Sequence, residues 1–156
     1  PVILVAHSLG CVAVAWWAAL HGRGYRDPVA GALLVAPADP DHTLAPQAVA
    51  GFAPLPRLPL PFPSIVVASR DDPYMRFERA IEAARHWGSH LVDVGEQGHI
   101  NARSGIGDWP LGLRLVDRLQ DAADLHAEAD RNLAGSASFL SIQLAPGSLG
   151  AGGVAW

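Results

Sequence analysis

Cysteine is almost absent from this sequence, which has 156 residues and a single thiol at Cys11. One thiol cannot form an internal disulfide and cannot build a metal site alone. This usage is typical of a reducing compartment. Among seven histidines, only His86 and His90 have the i, i+4 spacing of helical metal ligands, and Gly88 between them should break the helix. We therefore expect no metal and no other cofactor.

Charge is also scarce, because only 17% of the residues are charged and the net charge is −4. No cluster of Lys and Arg occurs anywhere along the chain. A groove that follows nucleic-acid phosphates normally needs such a cluster. The sequence therefore argues against nucleic acid as a partner.

The first 22 residues contain no Asp, Glu, Lys or Arg. A signal peptide would need a basic leading region, which this segment lacks. A membrane span would need about 20 continuous apolar residues, whereas His7, Ser8 and Gly10 interrupt this run. A buried strand followed by a buried helix is the better interpretation. We expect no membrane association, and a cytoplasmic location follows as the default.

Hydrophobic residues are abundant, at 50% of the chain, and they fall in short continuous runs. Continuous rather than alternating runs are typical of parallel strands that are covered on both faces. Four runs fit this pattern: Val2 to Ala6, Gly31 to Ala36, Ser64 to Ser69 and His90 to Val94.

Helical patterns separate most of these runs. The three predicted helices extend from Leu9 to about Leu20, from about Tyr74 to Trp87, and from near Pro110 through Leu119. Strands alternating with helices predict an α/β fold with right-handed crossovers. We expect three α/β/α layers around a mostly parallel sheet of about four strands.

Two segments do not fit this alternation. Residues 53–63 contain so many prolines that neither a helix nor a paired strand can form, so we expect an extended connection over the body of the domain. From about Asn132 the chain turns to Ala, Gly, Ser and Leu without clear periodicity. We therefore assign residues 1–120 to the folded domain and residues 121–156 to a poorly ordered or loosely docked extension.

The first strand leads directly into Ala6-His7-Ser8-Leu9-Gly10, which is followed by a helix. This is the setting of a nucleophile elbow, usually written G-x-S-x-G. The sharp turn needs small residues two positions before and after the serine, and Ala6 and Gly10 meet that need. The backbone N–H of Leu9 and the amino end of the helix can then stabilise a developing oxyanion. An ordinary helix cap by Ser8 is the simpler alternative.

A serine hydroxyl becomes a good nucleophile only when an imidazole accepts its proton and a carboxylate orients that imidazole. Asp71-Asp72-Pro73 follows the third predicted strand, and Gly98-His99-Ile100 follows the fourth. The order Ser, Asp, His is the order of the α/β-hydrolase fold. We predict Ser8 as nucleophile, His99 as base and Asp72 as the orienting acid.

Asp71 is the alternative acid. Asp72 precedes proline, a position from which a short turn points back towards the site. We therefore expect Asp71 to be a helix cap or a solvated carboxylate.

These motifs resemble those of a compact family of small serine hydrolases, the retinoblastoma-binding-protein-nine or YdeN-like family. The resemblance rests on Leu4 to Cys11, Leu58 to Pro63, Ala68 to Tyr74 and Gly98 to Trp109, and it covers roughly residues 1 to 119. It implies a partial α/β-hydrolase fold and a metal-free hydrolase of small esters or amides. Ser8, Asp72 and His99 would form the triad.

The resemblance also implies what precedes the serine strand in that family, namely a βα portion whose loop completes the oxyanion hole. This sequence begins almost at the serine strand. We therefore expect an incomplete site, impaired activity and self-association through the exposed edge of the first strand. A catalytically silent scaffold or interaction domain remains the alternative function.

Overall fold

The computed structural model describes residues 2–21 and 29–143. Four strands alternate with helices along the chain. Their bounds are β1 Val2–His7, α1 Leu9–His21, β2 Val29–Val35, α2 Gln47–Ala50, β3 Ser64–Ala68, α3 Phe77–Trp87, β4 His90–Asp93, a 3₁₀ turn at Ala102–Ser104, and α4 Pro110–Gln143. The chain divides into two compact units, Pro1–Ala123 and Asp124–Trp156.

The described strands form one sheet in the order β1-β2-β3-β4, and each neighbouring pair is parallel. All four strands match the predicted runs to within two residues. Because parallel strands in sequential order point the same way, the turns that follow β1, β3 and β4 lie along one edge of the sheet. Ser8, Asp72 and His99 lie in these turns, at that edge of the sheet.

Alternate residues of the central strands pack on opposite faces of the sheet. Leu34 and Val66 belong to a core with α1 and α3, which includes Trp87. Leu33 and Val67 belong to a second core with Leu115 and Leu119 of α4. The sheet is therefore covered on both faces, and the predicted α/β/α architecture is confirmed.

The second predicted helix starts later than expected. It was predicted from about Tyr74, but α3 begins at Phe77 after an extended Arg76 with φ −62° and ψ 142°. The intervening residues form a turn in which the Tyr74 N–H donates to Asp72 Oδ1 at 2.9 Å. This side-chain bond offers the backbone an alternative to the helix and delays the helix start. The predicted stop at Gly88 is confirmed, with φ 67°.

The proline-rich segment contains no helix or strand between residues 53 and 63. It lies against the end of α3, where the Trp87 indole donates to the Pro56 carbonyl at 2.8 Å and Leu60 N–H donates to the Trp87 carbonyl at 2.9 Å. Leu55 and Phe62 are buried. The prediction of a connection lying over the body is confirmed.

The last helix is much longer than the predicted one. Residues 132–143, for which the sequence predicts poor order or loose docking, continue α4 as far as Gln143. Extending an existing helix adds one hydrogen bond for each residue that is fixed, so α4 can continue through a segment without an amphipathic pattern. The remaining residues of the predicted extension, 144–156, lie outside the described part of the chain. Within the described ranges, none of the helices is long and apolar enough to span a membrane.

Strand β1 lies at the outer edge of the described sheet, and it exposes apolar side chains there. Val2 is 59% exposed and Val5 is 62% exposed. An apolar edge strand offers unpaired backbone groups to another chain. We predict that residues 1–156 self-associate as concentration rises and that Val5→Lys, which adds a charge to the edge, lowers the apparent mass measured by sedimentation.

The matched control is Leu113→Lys, because Leu113 on α4 is equally exposed, at 66%, but lies outside the sheet. It should self-associate as the wild type does. A monomeric wild type, or an equal effect of both substitutions, would contradict the role of the edge.

Candidate functional site

Ser8 occupies a sharp turn between β1 and α1. Its φ angle is +56°, a conformation that costs a non-glycine residue about 1–3 kcal/mol. The surrounding chain holds the turn in place: Ser8 N–H donates to the Val35 carbonyl at 3.0 Å, and the Ser8 carbonyl accepts from Cys11 N–H at 3.1 Å. This is the strained backbone that the elbow motif predicts.

The elbow also requires small residues on either side of the serine. A Cβ built on Gly10 would lie 3.6 Å from the Cβ of Ala6, at van der Waals contact. Two larger side chains at these positions would collide. The two positions that flank the serine thus face each other closely, in agreement with the small residues that the motif has there.

The side chains of Ser8, His99 and Asp72 form a continuous chain of contacts. Ser8 Oγ lies 2.8 Å from His99 Nε2, and His99 Nδ1 lies 3.0 Å from both carboxylate oxygens of Asp72. The His99 and Asp72 side chains are only 9% and 3% exposed. The structure thus brings together the three residues that the sequence singled out.

These contacts define the proton positions in a neutral imidazole. An ionised carboxylate can only accept, so the proton of His99 sits on Nδ1 and Nε2 is left as an acceptor. Nε2 can then accept the hydroxyl proton of Ser8. Chemically, the arrangement can activate the serine oxygen as a nucleophile.

Asp72 is oriented by its own turn. Its Oδ1 accepts from Tyr74 N–H as well as facing His99. The residue after Asp72 is Pro73, which has no N–H to compete for the carboxylate. This local geometry supports the choice of Asp72 as the partner of His99.

Asp71 is exposed, as the alternative of a solvated carboxylate predicts. It does not cap α3, whose cap residue Arg76 makes no side-chain cap bond. Instead its Oδ1 accepts from the Ser69 hydroxyl and from the Gly98 N–H, each at 2.7 Å. These two bonds hold the pKa of the Asp71 carboxyl below its usual range, and the bond from Ser69 has the larger effect. Asp71 therefore ties the loop after β3 to the residue before His99.

Ser69 is the buried centre of this connection and was missed by the sequence analysis. Its side chain is 1% exposed. Its Oγ donates to Asp71 and accepts from Gln97 N–H at 2.9 Å. The signal that could have found it is a serine at the carboxyl end of an otherwise apolar strand. The hydroxyl is placed where it can bond only to the adjacent loops.

A second pair of side chains, at the surface, joins the loop after β3 to the last residue of β4. Both Arg70 Nε and Nη2 donate to Asp93 Oδ2, at 2.9 and 2.6 Å. The other oxygen of Asp93 accepts from Gly95 N–H at 2.8 Å. The loop that carries Asp72 and the loop that carries His99 are therefore bound to each other by side chains as well as by the sheet.

Two rings enclose His99. The His7 and Tyr74 ring centroids lie 4.7 and 4.5 Å from that of His99, both edge-on. His7 Nε2 also lies 2.8 Å from the His99 carbonyl, and because a carbonyl can only accept, His7 donates this bond. His7 is therefore a polar side chain packed beside the elbow, and the contact of Tyr74 with His99 was not predicted from the sequence.

Leu9 and Cys11 follow the elbow on the first helix, as the sequence predicts. Leu9 is the first residue of α1, and N–H groups in the first helical turn have no acceptor within the helix. Cys11 is fully buried, and this burial raises the pKa of its thiol well above the ordinary value. Such a thiol is a core residue, not a nucleophile. In the described part of the chain, no group of three His, Cys, Asp or Glu residues could hold a metal ion.

The fold and the elbow define the class of protein, the α/β-hydrolases. Within that class the chain belongs to the serine hydrolase family, whose model matches residues 1–118. A comparison with curated proteins found no match.

Two solved structures of YdeN-like proteins are similar to this chain. A YdeN-like hydrolase from Pectobacterium atrosepticum is 39% identical, with a TM-score of 0.63, over 80% of this chain and 60% of its own. The ydeN gene product of B. subtilis is 24% identical, with a TM-score of 0.61, over 76% of this chain and 65% of its own. The chain thus spans less than two thirds of either relative. The resemblance to YdeN-like hydrolases is confirmed.

The two hydrogen bonds that the Asp71 carboxylate accepts lead to a prediction about stability. A carboxyl whose pKa is lower in the folded than in the unfolded state stabilises the fold at pH values above its unfolded-state pKa. This stabilisation disappears as the pH falls through the folded-state pKa. Asp71→Asn should therefore lower the free energy of unfolding at neutral pH. The difference from wild type should shrink below about pH 4, as measured by urea denaturation across pH.

Asp108→Asn is the control, because Asp108 is an exposed aspartate outside the network. It should leave stability nearly unchanged at every pH. If the difference in the free energy of unfolding between wild type and Asp71→Asn stayed constant down to the lowest pH, the ionised Asp71 carboxylate would not be the source of the stabilisation.

Proposed function

We propose that this protein hydrolyses small ester or amide substrates through Ser8, His99 and Asp72. The observation that carries the proposal is the chain of contacts from Ser8 Oγ to His99 and on to Asp72. The family match supports hydrolysis in general. What we add to the family match is the kind of bond that is cleaved, an ester or amide, and the three residues that cleave it.

In the first half of the reaction, Ser8 Oγ attacks the substrate carbonyl carbon while its proton moves to His99 Nε2. The resulting tetrahedral intermediate collapses, the bond to the leaving group breaks, and His99 returns the proton to that leaving group. Asp72 accepts from Nδ1–H throughout and stabilises the imidazolium that forms. The product is an acyl group esterified to Ser8.

In the second half, water replaces the leaving group. His99 takes a proton from the water as it attacks the acyl carbon, and the Ser8 oxygen leaves with the proton returned. The acid product is released, and the free hydroxyl of Ser8 is regenerated. No cofactor is required for either half.

The oxyanion of each intermediate needs hydrogen-bond donors. The N–H of Leu9 and the amino end of α1 are the proposed ones, because they directly follow the nucleophile. Loss of a single donor costs about 10²–10³ in turnover in known enzymes. The rate of residues 1–156 therefore depends strongly on how many donors they supply.

The proposal predicts covalent chemistry at Ser8. A fluorophosphonate probe should add one equivalent to the protein, detected by intact mass, and peptide mapping should locate the adduct on Ser8. Ser8→Ala should remove both the adduct and ester turnover. Because the elbow backbone has φ +56°, Ser8→Gly provides a second variant that lacks the hydroxyl without strain.

Adducts that persist in both variants would contradict the assignment of Ser8 as the nucleophile. Specific labelling of Ser8 without measurable turnover of any ester would instead favour the alternative function, an interaction domain that keeps a reactive serine. The two outcomes are read from the same samples.

The neighbouring aspartates provide a matched pair of variants. Asp72→Asn should lower ester turnover by about 10⁴-fold, because the amide can hold the imidazole in the wrong tautomer. Asp71→Asn keeps the Asp72 contact and should lose far less, about tenfold at most. Steady-state kinetics of the two folded variants checks this ranking, and equal losses would show that Asp72 is not the orienting acid.

A further inference from the structure

Two cavities flank Tyr74 at the carboxyl edge of the sheet. One, of about 300 Å³, lies over the segment from Ala38 to Val49. The other, of about 350 Å³, lies over the loop from Glu96 to Ser104. Pro73 and Tyr74 line both of them. Tyr74 therefore forms the partition between two spaces, one of which His99 also lines.

The walls of the two cavities differ in chemistry. The first is lined largely by aliphatic side chains, among them Leu44, Ala45, Pro46 and Val49, and is here called the aliphatic cavity. The second is lined by Glu96, Gln97, Asn101, Arg103 and Ser104, and is here called the polar cavity. An aliphatic space and a hydrogen-bonding space suit the two unlike halves of one substrate.

The polar groups of the aliphatic cavity are already engaged within its own wall. Asp39 is buried, and its carboxylate accepts from Asp41 N–H at 3.0 Å and lies 3.6 Å from Arg79 Nε. His42 Nδ1 accepts from Leu44 N–H at 3.1 Å. The surface left for a ligand is therefore mainly hydrocarbon.

The same contacts make the wall a fixed one. Arg79 on α3 forms ion pairs with Asp39 and Asp41, and Asp39 N–H donates to the Tyr74 carbonyl at 3.0 Å. The loop is thus bound both to α3 and to the partition residue. A preformed cavity binds a ligand without first having to order its own wall.

The reaction chemistry assigns each cavity to one half of the substrate. The histidine returns its proton to the leaving group, so the leaving group lies on the histidine side. His99 lines the polar cavity. Ala38 lines the aliphatic cavity, and its N–H donates to the Ser8 carbonyl at 3.4 Å, which places that cavity beside the nucleophile.

We infer that the aliphatic cavity binds the acyl group and that the polar cavity binds the leaving group. This inference rests on the proposed function of Ser8 and His99. A volume of about 300 Å³ is at the lower limit for ligand pockets, roughly 300–1,000 Å³. The substrate class is therefore an ester or amide that joins a short or medium aliphatic acyl group to a polar alcohol or amine.

Filling the aliphatic cavity tests the acyl half. Val49→Phe enlarges a side chain that lines the cavity on the short, surface helix α2, whereas Ala48→Phe enlarges an exposed neighbour that does not. The substrates are p-nitrophenyl acetate and p-nitrophenyl hexanoate, which share one leaving group. Where turnover is slow, the burst of p-nitrophenolate gives the acylation rate.

In Val49→Phe the hexanoate-to-acetate ratio of kcat/KM should fall by about tenfold or more, the usual effect of a few methylene groups in an apolar pocket. Ala48→Phe should leave the ratio within about twofold of wild type. An unchanged ratio in Val49→Phe, or equal changes in both variants, overturns the assignment of the aliphatic cavity.

Arg103→Ala tests the leaving-group half with the acyl group held constant. Arg103 is exposed at the polar cavity, so its loss should lower kcat/KM for esters of a carboxylate-bearing phenol relative to p-nitrophenol by several-fold. The hydrolysis rate of the isolated acyl-enzyme should not change, because the leaving group has already departed. A change in that rate, or no change in the leaving-group preference, overturns the assignment of the polar cavity.

Fluorophosphonate labelling separates this inference from the proposed function. Wild type that labels at Ser8 and gives a burst, but whose variants show no change in selectivity, rejects only the cavity assignment. Wild type that neither labels nor gives a burst rejects the function and the cavity assignment together.

Discussion

The parallel order of the strands is the constraint on which the rest of this structure depends. Because β1, β2, β3 and β4 run in one direction, the turns after β1, β3 and β4 meet at one edge of the sheet. Residues more than 90 positions apart, Ser8 and His99, come within hydrogen-bond distance there. Reversal of a single strand would send its functional side chain to the opposite edge.

The sheet alone places loops only approximately, and side-chain bonds complete the positioning. The Ser69 hydroxyl and the Asp71 carboxylate join the loop that carries Asp72 to the loop that carries His99, and Arg70 pairs with Asp93 at the end of β4. Buried polar groups of this kind are costly unless they are satisfied, and no buried side-chain polar atom in the described residues lacks a partner. The strained turn at Ser8 is held by backbone bonds to the neighbouring strand. Rigid positioning of this kind is what proton transfer from a serine requires.

Much of this arrangement follows from local sequence signals. Continuous apolar runs identified the strands, and the elbow motif with its small flanking residues identified Ser8. The order of Asp72 and His99 after successive strands then predicted their meeting. Long-range contacts were not accessible in this way: the bond from Asp71 to Gly98, and the position of Tyr74 against His99, depend on which loops become neighbours. The start of α3 was missed because a side-chain bond competes with the helix.

The pH dependence of phosphonylation at Ser8 tests the central claim most directly, because it reports activation of the hydroxyl without any dependence on substrate specificity. The account predicts that the labelling rate of the wild type rises between about pH 5 and 8, where histidine side chains lose their proton, and then levels off. His99→Ala should label slowly and without that rise. The same pH profile in the wild type and in His99→Ala would contradict activation of Ser8 by His99.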